Sequence, residues 1–289
     1  ISHTAPVYSI CYHEGFIYSA SGDKSIARWD IKTGRADNFL IRLDVAPYKI
    51  FIIEEYAQLV IGLNNGKIYV IDLAQKKELH RFDKHNASIF SFEYNNKEGH
   101  FYVGDKDGVL SVWDVKTWCQ LFTFELDGGR LRAMHYIEND DLLLVGKYNG
   151  EISVYETEFY NEILCFQAHK TGVSSLTFDT NTKMIISGGQ NALIKSWDSN
   201  GNISKSIPAH RYIVYGLKIF NDSLSLSCSR DGSIKVWENT FKEVVQKIDV
   251  SGFGHKHSVN QLLVINTELF ASCSDDQTIK IFRFSGLNP

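Results

Sequence analysis

The sequence predicts an all-β fold in which a unit of four short strands is repeated seven times. The clearest copy is Ser227–Glu238, which reads SCSRDGSIKVWE. An apolar strand runs into a tight Arg-Asp-Gly turn, and a second alternating strand then ends on Trp237 and an acid. The same pattern occurs six more times, at Ser19–Asp30, Ile61–Asp72, Val103–Asp114, Val145–Glu156, Ser187–Asp198 and Ser272–Arg283.

The spacing of the copies indicates what kind of repeat this is. Successive residues at the Trp237 position are 42, 42, 42, 42, 40 and 45 residues apart, counted along Trp29, Ile71, Trp113, Tyr155, Trp197, Trp237 and Phe282. Four-stranded units at this spacing, without helical periodicity between them, are typical of β-propeller blades. We therefore predict a seven-bladed β-propeller that forms one domain over residues 1–289, because an array of repeats grows without a single central core.

The first and last blades set the limits of the array. In the first blade, apolar alternation predicts strands at Val7–Tyr12, Gly15–Ser21, Ser25–Asp30 and Asn38–Leu43. In the last blade the third strand, Thr278–Phe284, is followed by only five residues, too few for a fourth strand. We expect the natural chain to begin several residues before Ile1 and to supply that outer strand. The alternative is a three-stranded blade seven.

The apolar content, the cysteines and the net charge of the chain indicate which classes of protein it resembles. Apolar residues make up 44% of the chain, which suits many half-buried strands, and no apolar run reaches the length of a membrane span. Residues 1–30 already belong to the first repeat, so no signal peptide is visible. The five cysteines are odd in number and form no CxxC pair, and Cys228 and Cys273 stand at the same strand position of neighbouring repeats, which favours buried thiols at those two sites. A reducing, cytoplasmic location is the prediction. A net charge of −4 identifies no partner.

Two sets of residues resemble the WD-repeat (WD40) β-propeller family, and the resemblance covers essentially the whole chain. The first set is the strand ends Trp29-Asp30, Trp113-Asp114, Trp197-Asp198 and Trp237-Glu238. The second is the histidine markers Ser2-His3, Lys84-His85, Ala168-His169, Ala209-His210 and Gly254-His255. The resemblance implies blades with strands a to d from the axis outward, and a non-enzymatic scaffold that binds other macromolecules.

The family also implies a buried polar network in each blade. A tryptophan on strand c donates to a serine on strand b, the serine bonds the histidine of the d–a loop, and the histidine bonds the aspartate of the b–c turn. Such buried groups are tolerated when the network is complete. Carried over by position, it is complete in blade one (His3, Ser19, Asp23, Trp29) and in blade six (His210, Ser227, Asp231, Trp237).

The other blades depart from this pattern. Blade five has Asn191 in the turn, blade three has Val103 in place of the serine, and blade seven has Phe282 in place of the tryptophan. Blades two and four depart most. Blade two has Asp44 in place of the histidine and Asn65 in place of the aspartate, and blade four has Asp127 and Asn149 at these two positions. We expect those two blades to be held mainly by packing.

The sequence predicts no catalytic, cofactor or metal site. Recurrence of Ser, His and Asp in several blades argues against a single hydrolase triad, and no G-x-S-x-G elbow is present. The segment Asp105–Gly108 resembles the start of a calcium loop but lacks the acid at the twelfth position. His255 and His257 have no third ligand nearby in the sequence.

In this family the d–a and b–c loops form the top face, where partners most often dock. Three positions per blade are expected on this face: one residue after the histidine marker, five after it, and the residue before the turn aspartate. These 21 positions carry seven basic residues and one acid, a net charge of +6, whereas the whole chain carries −4. The a–b turns of the opposite, bottom face are rich in acids.

This asymmetry leads to a binding hypothesis. Arginine and aromatic residues anchor interfaces because they bury large areas and make charge-assisted bonds. We predict that the top face binds a partner protein or an acidic or phosphorylated peptide through Tyr8, Lys49, Phe90, Lys106, Arg132, Tyr148, Tyr215 and Arg230. Nucleic acid on the same face is the alternative, and steep salt dependence would mark it.

A second candidate surface lies at the c–d turns of blades three and four. Trp118 and the pair Phe159-Tyr160 stand there in place of the usual small polar residues. Exposed aromatics on neighbouring blades would form a docking patch. The other interpretation is that each ring packs onto its own blade.

Overall fold

The computed structural model describes residues 3–238 and 241–284, and it confirms the predicted all-β fold. Within these residues, 27 strands form seven antiparallel sheets in which neighbouring strands follow one another in sequence. Six sheets have four strands and the last has three. The helical segments of the described residues are two single 3-10 turns, Glu54–Tyr56 and Val250–Gly252. The fold is a seven-bladed β-propeller, and each sheet is one blade.

The first two strands of each blade are strands a and b, and strand b is buried over most of its length in every blade. The a strands are β1 Val7–His13, β5 Pro47–Ile53, β9 Ile89–Asn95, β13 Ala133–Ile137, β17 Val173–Asp179, β21 Val214–Asn221 and β25 Val259–Val264. The b strands are β2 Phe16–Ser21, β6 Gln58–Leu63, β10 His100–Asp105, β14 Leu142–Gly146, β18 Met184–Gly189, β22 Leu224–Ser229 and β26 Leu269–Ser274. All six residues of β22 are buried, because both of its faces are covered.

The last two strands lead toward the outer edge of each blade. The c strands are β3 Ser25–Asp30, β7 Lys67–Asp72, β11 Val109–Asp114, β15 Glu151–Glu156, β19 Leu193–Trp197, β23 Ile234–Glu238 and β27 Ile279–Arg283. The d strands are β4 Ala36–Arg42, β8 Lys77–Asp83, β12 Gln120–Glu125, β16 Glu162–Gln167, β20 Ile203–Pro208 and β24 Val244–Ile248. Five of the six residues of β12 are exposed, as expected for the last strand of a sheet.

Blade seven consists of β25, β26 and β27 within the described residues. The prediction that an N-terminal segment supplies the fourth strand concerns residues outside the part of the chain that the structure describes, as do Ile1, Ser2 and residues 285–289. In blade one, the four predicted strands agree with the observed ones to within two residues at each end.

The chain divides into two compact units, and its assignment to one domain stays a prediction. One unit contains residues 1–47 and 215–289. Within it the first and last blades pack together: Val7, Ile10 and Ile17 share a core cluster with Ala271 and Cys273. The Gln261 side chain accepts hydrogen bonds from Ser9 Oγ at 2.8 Å and from Ile10 N at 3.2 Å. Contact between the first and last repeats is what closure of a propeller requires.

The second unit, residues 48–214, shows why one position of strand b must be small. In blades two to five a glycine stands there, at Gly62, Gly104, Gly146 and Gly188. A Cβ added to Gly62 would lie 2.5 Å from Ile89, and one added to Gly146 would lie 2.6 Å from Val173, both on strand a of the following blade. Strand a therefore packs directly against the backbone of the preceding strand b. In blades one, six and seven the same position holds Ala20, Cys228 and Cys273.

This packing accounts for the two cysteines at matching positions. Cys228 and Cys273 are both fully buried thiols, as the sequence predicts. They fill a small apolar site between blades, a role that a reduced cysteine performs well.

Candidate functional site

The buried polar network has the predicted geometry in blade one. His3 Nε2 lies 2.7 Å from Ser19 Oγ, and Trp29 Nε1 donates to the same oxygen at 2.7 Å. His3 Nδ1 lies 2.8 Å from the Asp23 carboxylate. Burial opposes ionisation of Asp23, but hydrogen bonds from Ser25 and His3 lower its pKa. The serine oxygen is fully buried and engaged on two sides, so it is placed to stabilise the blade and not to attack a substrate.

Blades five, six and seven keep most of the same network. In blade five His169 lies 2.9 Å from Ser187 and 3.0 Å from Asn191, so the amide oxygen replaces the carboxylate. In blade six Trp237 donates to Ser227 at 2.8 Å, and the Asp231 carboxylate accepts from Ser233 N at 2.9 Å.

In blade seven the network has no indole donor. His255 lies 2.8 Å from Ser272 and 2.9 Å from Asp276. Phe282 packs on Phe270 where blades one, three, five and six have a tryptophan.

In blade three the network is complete, which corrects the expectation based on Val103. Ser111 on strand c supplies the missing hydroxyl: His85 Nε2 lies 2.8 Å from Ser111 Oγ, and Trp113 Nε1 donates to it at 2.7 Å. His85 Nδ1 lies 2.8 Å from Asp105. Val103 and Ser111 face each other across the b–c strand pair, so the hydroxyl has moved to the opposite strand.

The resemblance of Asp105–Gly108 to a calcium loop has a structural explanation. Asp105 Oδ1 accepts the backbone N–H groups of Asp107 and Val109, both at 2.9 Å, and Oδ2 bonds His85. The carboxylate is completely buried and holds a b–c turn. Its oxygens are therefore already engaged by the protein.

Blade four has a different polar network, so packing alone does not hold it. Lys147 is only 5% exposed, and its ammonium lies 3.5 Å from Glu151 and 3.8 Å from Glu162. Tyr155, at the tryptophan position, donates to Glu162 at 3.0 Å. Asp127, which stands at the histidine position, is exposed and takes no part in this network. Asp44 of blade two is likewise exposed.

The buried histidine of blade five gives a pH-dependent stability. Burial, assisted by the charge of Lys195, lowers the pKa of His169 to about 4 from 6.5. Between these values the unfolded chain binds a proton that the folded chain does not, so stability falls as the pH decreases from 6.5 toward 4. We expect His169 to make the protein about 2 kcal/mol less stable at pH 5 than at pH 7. Urea unfolding at both pH values should show a smaller pH dependence for His169→Gln, and an unchanged dependence would contradict this assignment.

On the top face, the position five residues after the histidine marker has an irregular backbone in four of the blades. In blades one, three, five and seven the register of strands a and b shifts at this residue, which is Tyr8, Phe90, Ser174 or Asn260. A β-bulge leaves one residue unpaired and re-aims its side chain. Ser174 turns inward and donates to Val214 O at 2.7 Å, whereas Phe90 is partly exposed.

The structure places the eight predicted binding residues as follows. Lys106, Tyr148 and Arg230 are exposed in b–c turns. The remaining five are partly buried at or beside strand a: Tyr8, Lys49, Phe90, Arg132 and Tyr215. Tyr215 packs against the core cluster of blades six and seven, which limits how much of its ring a partner can reach.

Within residues 48–214, four top-face side chains form a continuous series of contacts that we call the aromatic–arginine row. It consists of Tyr48, Phe90, Arg130 and Tyr148. The rings of Tyr48 and Phe90 are stacked with centroids 5.7 Å apart. Arg130 Cζ lies 5.0 Å from the centre of the Phe90 ring and 5.3 Å from that of Tyr148. The row extends over blades two to four.

Sequence reasoning missed two members of the row, Tyr48 and Arg130. Asp127 stands where other blades have the histidine marker, and the two positions counted from it are Gly128 and Arg132. Arg130 lies between them. One sequence feature could have pointed to Arg130. The pair Gly128-Gly129 stands in a d–a loop that lacks its histidine, and this pair indicates that the loop differs from those of the other blades. Tyr48 precedes Lys49, the residue that the count selected.

The bottom end of blades three and four is acidic, as the a–b turns predict. A cavity of about 460 Å³ lies there, lined by Glu98, His100, Asp140, Asp141, Glu156, Thr157 and Glu158. Asp141 pairs with Lys97 and accepts from Tyr136, and these two bonds lower the pKa of the carboxyl. Basic and aromatic side chains therefore mark one end of these blades and carboxylates the other.

The second candidate surface is largely filled by packing, and the two buried rings contact the preceding blade, with Trp118 also packing on Phe101 of its own blade. Trp118 of blade three is 4% exposed, contacts Phe82 of blade two, and donates to Gln58 of blade two at 3.0 Å. Tyr160 of blade four is 5% exposed and packs on Phe122 of blade three.

Each buried ring therefore joins its blade to the preceding one. Phe159, which is 69% exposed, remains outside this packing.

Two further observations concern the part of the chain that the structure describes. No cluster of three or more His, Cys, Asp or Glu side chains there has the arrangement of a metal site. None of its helices has the length and apolar character to cross a membrane.

The fold and the networks together define the class of protein: a repeat scaffold in which buried His, Ser and Trp side chains stabilise individual blades. Comparison with protein-family models agrees. The model described as WD domain, G-beta repeat (WD40) matches residues 76–114, 160–198, 201–238 and 247–283, which together make up more than half of the chain. The chain therefore belongs to the WD40 repeat family. No curated protein matches it.

Proposed function

We propose that this protein is a non-enzymatic interaction scaffold whose top face binds an acidic segment of a partner protein. WD40 propellers typically act as protein-interaction scaffolds. The observation that carries the finer proposal is the aromatic–arginine row, a partly exposed series of three rings and a guanidinium. Tyrosine and arginine are prominent among the residues that dominate interface energies.

Charge supports an acidic partner. The predicted site includes Lys49, Lys106, Arg132 and Arg230, and Lys106 and Arg230 are exposed. The opposite ends of blades three and four carry the acidic cavity. A negatively charged segment is therefore attracted to one face and repelled from the other, which favours a defined docking orientation.

The chemistry of the buried networks supports a role other than catalysis. The Ser-His pairs of blades one, three, five and seven have serine side chains that are at most 1% exposed. In three of these blades the hydroxyl also accepts the indole N–H of a tryptophan. A nucleophile needs access to substrate, and these buried hydroxyls lack it.

The cysteines support the proposed cytoplasmic location. None of the five cysteines, all of which lie in the described part of the chain, forms a disulfide, and Cys119 and Cys165 are exposed. Exposed unpaired thiols persist in a reducing compartment, whereas oxidising compartments favour disulfides.

The proposal is tested by a pull-down from native lysate with and without nuclease. The bait is the intact chain or the Arg132→Glu/Arg230→Glu variant. We expect at least one protein that the intact chain retains after nuclease and that the variant loses. Loss of the captured material with nuclease would favour the nucleic-acid alternative, and equal capture by both baits would overturn the top-face proposal.

A further inference from the structure

Arg130 lies in a d–a loop whose sequence differs from that of the blades with a histidine marker. The loop contains Asp127, Gly128 and Gly129, and the two glycines have φ angles of 101° and 71°. These are left-handed conformations that glycine adopts without strain. A Cβ on Gly128 would lie 2.8 Å from the Asn149 side chain, so close packing also requires a glycine there. Gly128 and Gly129 thus allow this loop to adopt its conformation and to pack closely on Asn149.

Hydrogen bonds fix the backbone on both sides of Arg130. Asn149 N donates to Gly128 O at 3.0 Å, and Leu131 N donates to Asp105 O at 2.9 Å. The Leu131 carbonyl also accepts from Ser91 Oγ at 2.7 Å. Because the loop is already ordered, a ligand that binds Arg130 does not bear the cost of ordering it.

The guanidinium of Arg130 has aromatic neighbours but no anionic one. It lies over the rings of Phe90 and Tyr148. No acidic side chain within residues 3–238 and 241–284 forms an ion pair with it, and its Nε is buried without a hydrogen-bond acceptor. An unpaired buried donor is unfavourable, and such a group in a native structure calls for an explanation.

We infer that Arg130 is the receptor for a carboxylate of the partner protein. The inference rests on the proposed function and names the chemistry of the ligand. Aromatic rings over the faces of a guanidinium leave its in-plane N–H groups to bind. A planar carboxylate accepts two parallel N–H bonds from a guanidinium. The carboxylate belongs either to an Asp or Glu side chain or to a chain terminus.

Nuclear magnetic resonance tests this chemistry directly. The Arg130 Nε–H signal is identified by its absence from the spectrum of Arg130→Lys. Three probes are titrated: C-terminally amidated hexaglutamate for side-chain carboxylates, N-acetylated tetra-alanine for a terminal carboxylate, and inorganic phosphate. We expect a saturable shift of this signal with at least one carboxylate probe. A signal that moves with neither of them, or with phosphate alone, overturns the inference.

The captured partner provides the second readout. Arg130→Lys keeps the positive charge but loses the planar fork, so we expect about tenfold weaker binding or more. The matched control is Arg35→Lys, which changes an exposed arginine in the c–d turn of blade one. Both variants must show the wild-type melting temperature.

The two proposals fail in different ways. If Arg130→Lys binds as tightly as wild type while Arg132→Glu/Arg230→Glu does not bind, the carboxylate assignment is wrong and the top-face function stands. If none of the variants weakens binding, both proposals are wrong.

Discussion

Replacing Trp118 by alanine is expected to destabilise the protein by about 3–5 kcal/mol, the usual cost of removing a large buried aromatic side chain. The indole is 4% exposed and fills the space between blades two and three. Its contacts include Phe101, with ring centroids 5.8 Å apart, and the hydrogen bond from Nε1 to Gln58. The substitution therefore removes packing and leaves the amide oxygen of the partly buried Gln58 without this donor.

Phe159→Ala is the matched control, because it removes an aromatic side chain from the equivalent turn of blade four. Phe159 is 69% exposed, so we expect a change within about 0.5 kcal/mol. Urea unfolding of both variants and wild type provides the comparison. Equal stabilities of the two variants would show that Trp118 does not join the blades, and the turn would again be a candidate docking patch.

Replacing Ser111 by alanine is expected to destabilise the protein by about 2–4 kcal/mol, because two buried groups lose their partner at once. His85 and Trp113 are each 2% exposed, and both bond the Ser111 hydroxyl. Water cannot replace the hydroxyl at a site this deeply buried without rearrangement of the blade. Ser206→Ala, an exposed serine on strand d of blade five, is the control and should be nearly neutral.

A double substitution tests the position of the hydroxyl as well as its presence. Val103→Ser/Ser111→Val exchanges two residues that face each other across strands β10 and β11. It moves the hydroxyl to strand b, where Ser19 performs the same role in blade one. We expect the double variant to recover much of the stability that Ser111→Ala loses. If it is as unstable as Ser111→Ala, blade three cannot adopt the arrangement of blade one.

The fold could be predicted from the sequence because its signals are local. Strand alternation, turn residues and the position of the Trp29 anchor are all contained in about a dozen consecutive residues of each repeat. Repetition then reinforces each weak local signal. The small residue on strand b is a local signal too, but its reason, close contact with the next blade, is visible only in the structure.

The features that could not be predicted from the sequence depend on contacts between strands or between blades. Position in the repeat predicts an incomplete network in blade three, because position alone cannot show that Ser111 faces Val103. Counting from a histidine marker does not find Arg130, because this blade has no histidine marker. Trp118 and Tyr160 pack on the preceding blade. The sequence of a single repeat does not indicate such a contact with another blade.

Binding of the captured partner to two double charge reversals tests the central claim most directly. Arg132→Glu/Arg230→Glu changes two predicted top-face residues, whereas Lys32→Glu/Lys183→Glu changes two exposed lysines in a c–d and an a–b turn. Both variants alter the net charge equally, so general electrostatic repulsion affects them alike. We predict that only the first variant loses the partner. Equal loss in both, or loss only in the second, would contradict binding at the top face.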